Sequence, residues 1–200
     1  MGEAKYGEEF IKHEFDEAIA VQRAIVEAER QLGTSHPYPE AKRLISATLQ
    51  EDERGLRDLE RLGKPYGASG EVEEVAASLQ ALMQLTAQHA SEAESEAYEA
   101  HAVLLNLKRK QQDSASAMLK IARAQRNTEV RDAAREFLHV QKTSAQALAA
   151  SLAEFAVVIA QQGAGGDGQS AKRSRAGSRS RSASASRSGG RSAAGSASRA

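Results

Sequence analysis

The chain has no cysteine and no tryptophan, three prolines in 200 residues, and only eight other aromatic side chains, four Tyr and four Phe. Without a thiol there is no disulfide framework and no thiolate metal site. No apolar run approaches the roughly 20 residues that cross a bilayer. The opening Met1-Gly-Glu-Ala-Lys5 lacks the basic-then-apolar order of a signal peptide, and Tyr6 stands where a myristoylation signal requires Ser or Thr. These absences lead to the expectation of a soluble, cytoplasmic protein with no membrane partner. No segment sustains the period-two alternation of a half-buried strand, and β-branched residues are few, which argues against a sheet. No nucleophile–His–acid arrangement, phosphate-binding glycine loop or dinucleotide fingerprint occurs, so the common enzyme classes have no foothold.

What is present is helix. Before the tail, glycine falls mainly at Gly33, Gly55, Gly63, Gly67 and Gly70, and so few breakers leave long uninterrupted segments. A first helix is predicted from about Glu3 to Leu32, stopped by Gly33, and a second from the capping stretch Thr34-Ser-His-Pro37 to Leu62. Gly63 to Gly70 reads as a loop. From Glu71 to Arg126 there is no Gly or Pro; one helix of that length would reach about 80 Å, so a break is placed at the capping box Ser91-Glu-Ala-Glu94, leaving a short crossover helix before the third main one. The last helix is predicted from Asn127-Thr128 through about Gln161, ended by Gly163-Ala-Gly-Gly166. Ala, Leu and Val fill the stripes, so the expected fold is all-α, an antiparallel four-helix bundle over residues 1–162.

Residues 163–200 differ in kind, being almost entirely Ser, Ala, Gly and Arg. Asp167 to Ala200 carries eight Lys and Arg against one Asp, a net of +7; residues 1–166 carry 19 basic against 26 acidic side chains, a net of −7. The overall neutrality is a cancellation between unlike regions. Such a tail cannot offset its ordering entropy by burial, and disorder is expected. Lys172, Arg173, Arg175, Arg179, Arg181, Arg187, Arg191 and Arg199 form a polycation suited to phosphates, giving nucleic-acid affinity without base specificity because no aromatic stands among them. A homo-oligomer would present several tails and gain avidity. A solubilising tail, or one lying on the body's own carboxylates, is the competing reading.

At 100° per residue, Phe10, Val21, Ile25, Ala28 and Leu32 share a stripe with Glu14 inside it and Glu17 at its edge. Leu44, Thr48, Leu59 and Leu62 do the same around Asp52, with Glu51 on the flank. Ala93, Ala100, Val103, Leu107, Met118 and Ile121 enclose Glu96, with Glu99 at the border. His89 lies near this stripe and His101 points away from it. Carboxylates inside an apolar stripe protonate, pair with a cation or bind metal; at helix ends they simply reach solvent. On the last helix, Glu136 and His139 lie off the stripe of Val130, Ala134, Phe137, Ala145, Leu148, Leu152, Phe155 and Ile159.

The order of these parts resembles the ferritin-like superfamily, more closely its rubrerythrin-like branch: a Glu on the first helix of each pair and Glu-x-x-His on the second. Glu14 or Glu17 is followed by Glu51-Asp-Glu-Arg54, and Glu96 or Glu99 by Glu136-Phe-Leu-His139. The resemblance implies a ferritin-like bundle with a short crossover helix, and a metal site from Glu14, Glu17, Glu51, Glu96, Glu99, Glu136 and His139 that handles oxygen or peroxide. Arg54 stands where the family has a ligating His, and a guanidinium does not coordinate metal. The expected site is therefore degenerate, holding no cofactor or a single iron or manganese ion, with Arg54 as counter-charge. The resulting expectation is a non-enzymatic structural or binding module whose tail contacts nucleic acid; the alternative is a metal-binding protein handling oxygen or peroxide.

Overall fold

The computed structural model describes the backbone of residues 2–72 and 93–178 and the side chains of residues 7–72 and 94–162. Among these there are four α-helices, one 3₁₀ turn and no strand: α1 Gly2–Ser35, α2 Pro39–Gly63, the turn Lys64–Tyr66, α3 Ala93–Ala124 and α4 Thr128–Ser178. By their contacts Met1–Ile159 form one compact unit and Ala160–Ala200 another. The short crossover helix, His89, and Arg179, Arg181, Arg187, Arg191 and Arg199 fall outside the described residues.

Local chemistry explains where the helices differ from expectation. Gly33 does not stop α1. A Cβ there would lie 2.8 Å from Ser46 Oγ, so this glycine lets α1 and α2 approach, and Ser46 Oγ donates to the Gly33 carbonyl at 3.1 Å. Thr34 and Ser35 turn their hydroxyls back onto the Gln31 carbonyl, both at 2.8 Å, instead of capping α2. The proline at the start of α2 is Pro39, and Tyr38 in the N-cap position makes no side-chain cap. Between α3 and α4, Arg126 takes the left-handed conformation (φ 58°) and the Asn127 N–H donates to the Ala122 carbonyl at 2.9 Å. Asn127 Oδ1 then accepts the Val130 N–H at 3.1 Å, capping α4 where the sequence placed its start. α4 passes through Gly163-Ala-Gly-Gly166 to Ser178: glycine lowers helix stability by only about 1 kcal/mol each, and extending an existing helix needs no new nucleus. Thr128–Gln162 is also long and apolar enough to cross a membrane by length and composition, contrary to the expectation that no run is. In this fold its Val130, Ala134, Ala145, Leu148 and Phe155 are buried in the bundle.

Contacts between helices fix their directions. Arg23 meets Glu60, Arg30 meets Glu53 and Gly33 meets Ser46, so α1 and α2 are antiparallel. Lys110 meets Glu17 and Lys108 meets Glu29, which sets α3 antiparallel to α1. α4 is antiparallel to α2 through Arg61–Glu129 and Asp52–Gln141, and to α3 through His101–Leu148 and Gln112–Gln141. α2 ends with Gly63 against Phe15, in the first half of α1, whereas α3 begins near His101, which bonds His36 beyond the far end of α1. The end of α2 and the start of α3 therefore lie toward opposite ends of the bundle. The chain leaving α2 is pinned by Asp16, which accepts the Ser69 and Gly70 N–H groups at 2.6 and 2.9 Å.

The inward faces follow alternating steps of three and four residues on every helix. They are Ile11, Phe15, Ala18, Gln22, Ile25, Glu29 and Leu32 on α1; Ala41, Ile45, Thr48, Asp52, Gly55, Leu59 and Leu62 on α2; Ala97, His101, Leu104, Lys108, Gln111, Ala115, Met118 and Ala122 on α3; and Val130, Ala134, Phe137, Gln141, Ser144, Leu148, Ser151 and Phe155 on α4. This 3.5-residue period is the seam of helices packed nearly parallel to one another. It differs from the 100° stripes at particular residues: Phe10 is 48% exposed, and His101 is fully buried.

Two apolar clusters fill the seam. One joins Ile11, Phe15, Leu59, Leu62, Met118 and Val130; the other joins Ile25, Leu32, Ile45, Leu104 and Leu148. Polar side chains lie between them.

Candidate functional site

At mid-bundle the seams place Gln22 and Glu29 from α1, Asp52 from α2, Lys108 and Gln111 from α3, and Gln141 from α4, all six fully buried. Lys108 Nζ donates to Asp52 Oδ2 and lies 2.8 Å from Glu29 Oε1. Asp52 Oδ1 also accepts the amides of Gln22 at 2.7 Å and Gln141 at 2.6 Å. Thr48 Oγ1 donates to Glu29 Oε1 at 2.7 Å, and Gln111 Nε2 donates to the Ala18 carbonyl at 2.9 Å.

One ammonium thus faces two carboxylates, and ionising both would leave a buried excess of negative charge. Asp52 has three side-chain donors. Glu29 has two, both on Oε1, while its Oε2 has none. Burial lifts the Glu29 carboxyl from 4.5 to about 7, with Asp52 adding to the rise and Lys108 and Thr48 opposing it. Glu29 is therefore the group that takes up the balancing proton as pH falls through about 7.

A second buried polar element closes the far end. The Tyr38 N–H donates to His36 Nδ1 at 3.1 Å, leaving the His36 proton on Nε2, which donates to His101 Nδ1 at 3.3 Å; His101 Nε2–H then donates to the Leu148 carbonyl at 3.1 Å. Phe155 packs on both His36 and Tyr38. Burial, with His36 nearby, holds the His101 imidazole down at about 4, and burial lowers His36 as well. Each ring already uses one nitrogen as donor and the other as acceptor, so the chain has no room for an extra proton.

The metal set suggested by the sequence is not brought together. Glu51, Glu96, Glu99, Glu136 and His139 are exposed; Glu14 is half-buried, and Glu17 pairs with Lys110 at 2.8 Å. Burial and the neighbouring Glu17 raise the Glu14 carboxyl, against His13 and Lys110. Among the described residues no three His, Asp or Glu side chains converge to hold a metal. Convergence of acids from separate helices holds for Asp52, but its partner on α1 is Glu29 in place of Glu14, and α3 brings Lys108 in place of Glu96. Arg54 is exposed, so the counter-charge is Lys108. The signal that would have found Glu29 and Lys108 is the three-and-four spacing: each lies one seam step from an aliphatic residue, Glu29 after Ile25 and Lys108 after Leu104.

Between α2 and α4 a cavity of about 330 Å³ opens beside the first apolar cluster, floored by Phe15, Leu59, Leu62, Met118 and Val130 and rimmed by Glu51, Arg54, Asp58, Arg61, Asp132 and Glu136. Gly55 sits in its wall, where a Cβ would come within 2.7 Å of the Phe137 ring.

Among the described residues, fold and site together define an all-α bundle of four helices whose polar centre supplies its own cation. Comparison with protein-family models, curated proteins and solved structures returned no match.

Proposed function

We propose that the chain is a ferritin-like bundle in which the Lys108 ammonium stands where such a fold would carry a metal ion, and that it serves as a non-enzymatic binding module whose basic tail holds nucleic acid without sequence preference. The ferritin-like reading draws support from neighbouring helices that run antiparallel and from the end of α2 and the start of α3 lying toward opposite ends of the bundle, the arrangement of that superfamily. A metal-dependent reaction has less support, because Glu96, Glu99, Glu136 and His139 face solvent and the buried acids already have a cation.

The nucleic-acid reading is carried by one observation, the separation of charge into −7 over residues 1–166 and +7 over Asp167 to Ala200. The acidic body repels a polyanion, which confines contact to the tail. Truncation after Gly166 tests this in a gel shift with duplex DNA and with RNA. The full chain is retained at low salt and released steeply as salt rises, with a log–log slope of at most about −7 if all eight basic residues contact phosphate. The truncated chain loses only the part of α4 beyond Gly166 and keeps its melting temperature, but is not retained. Equal retention of the two proteins would overturn the assignment.

A further inference from the structure

The cavity between α2 and α4 has no part in the polar centre or the tail. Its floor is apolar and includes the rings of Phe15 and Phe137, and its mouth is charged. About 330 Å³ falls within the range of sites for small organic ligands, which pair an apolar lining with a few polar groups.

The pairing of the mouth residues determines the charge of the ligand. Arg61 is engaged by Asp58 and Glu129, and Asp132 by Arg131 and Arg135. Among the described residues Glu51, Arg54 and Glu136 have no ion-pair partner, which leaves two carboxylates against one guanidinium. The unbalanced charge is a single negative one, above an apolar floor. We infer that the α2–α4 cavity binds a small amphipathic amine, an aryl- or alkylammonium whose apolar body lies on Phe15, Leu59 and Met118 and whose charge is met by Glu51 and Glu136.

Three probes of matched size separate the possibilities in full-length protein: 2-phenylethylamine, 3-phenylpropionate and 2-phenylethanol, followed by calorimetric titration and by amide shifts of α2 and α4. The amine is expected to bind saturably, at least tenfold more tightly than the other two. Both acids are at the surface, so Glu51→Gln combined with Glu136→Gln should leave the fold intact and weaken amine binding at least tenfold. Ala133→Leu, which fills the cavity wall, should abolish binding of all three. Preference for the carboxylate, equal binding of all probes, amine binding unaffected by the double substitution, or no saturable binding of the amine would each overturn the inference.

Discussion

Replacing Lys108 by Met removes one charge while nearly preserving side-chain length, and so isolates what the ammonium does. Both its partners are fully buried, and without it Glu29 keeps only the Thr48 hydroxyl as a donor. Removing one member of a buried ion pair costs about 3–5 kcal/mol because the abandoned charge stays desolvated. A domain of this size has only about 5–15 kcal/mol to lose. The cost also depends on pH. At pH 5.5 Glu29 is protonated and only Asp52 is stranded, with the Gln22 and Gln141 amides still bonded to it. Lys108 holds the Glu29 carboxyl down, so its loss raises Glu29 further and the folded variant takes up a proton at pH 8 that the parent does not; Lys108→Met is therefore expected to be near the upper end of that range at pH 8 and clearly less harmful at pH 5.5. Urea unfolding followed by far-UV circular dichroism gives both values. The triple change Lys108→Met, Glu29→Gln, Asp52→Asn removes all three charges and should recover most of the loss, since buried ion pairs are replaceable by neutral groups of similar volume. A single Lys108→Met variant within about 1 kcal/mol of the parent at pH 8, or a loss independent of pH, would refute the account of the polar centre.

Glu29→Gln should remove a titration from the stability curve. The folded Glu29 carboxyl is raised from 4.5 to about 7, so its stabilising contribution is complete below pH 4.5 and lost as pH rises through 7, a swing of about 3 kcal/mol. His36 and His101 act in the opposite sense, because their depressed values give stability that is present above pH 6.5 and lost as pH falls below it, for His101 toward 4. The parent should therefore show a flattened profile between pH 4.5 and 6.5, and Glu29→Gln a steady rise with pH over that window; unchanged profiles would contradict both directions. Gly70 has a φ of 76°, and a Cβ there would lie 2.4 Å from Ile19 Cγ2, so Gly70→Ala should lose about 2 kcal/mol or more in thermal unfolding. Gly67→Ala, with φ 73° but its nearest atom 4.0 Å away, should lose only about 1 kcal/mol, and equal losses would show that the Ile19 contact is not what Gly70 is for.

The helical class, the start of α4 at Asn127 and the charge division were legible in the residues themselves, because cap chemistry, breaker spacing and composition act over one or two turns. The inward position of Asp52 was legible too, since its stripe on α2 is the same at either period. The 100° stripes misplaced the acids on α1 and α3, because helices that wrap on one another repeat every 3.5 residues, and over several turns the difference moves Glu14 to the border and brings Glu29 inside. Gly33 carried the same ambiguity. Alone it reads as a stop; beside Ser46 it is the gap through which α2 approaches.

Only tertiary packing could bring Lys108, 56 residues from Asp52, to meet that carboxylate. A local pattern records how a side chain is distributed about its own helix axis. The identity of the counter-ion depends on which other helix lies across the core and in what register, and that is settled by the seams of all four helices packing at once.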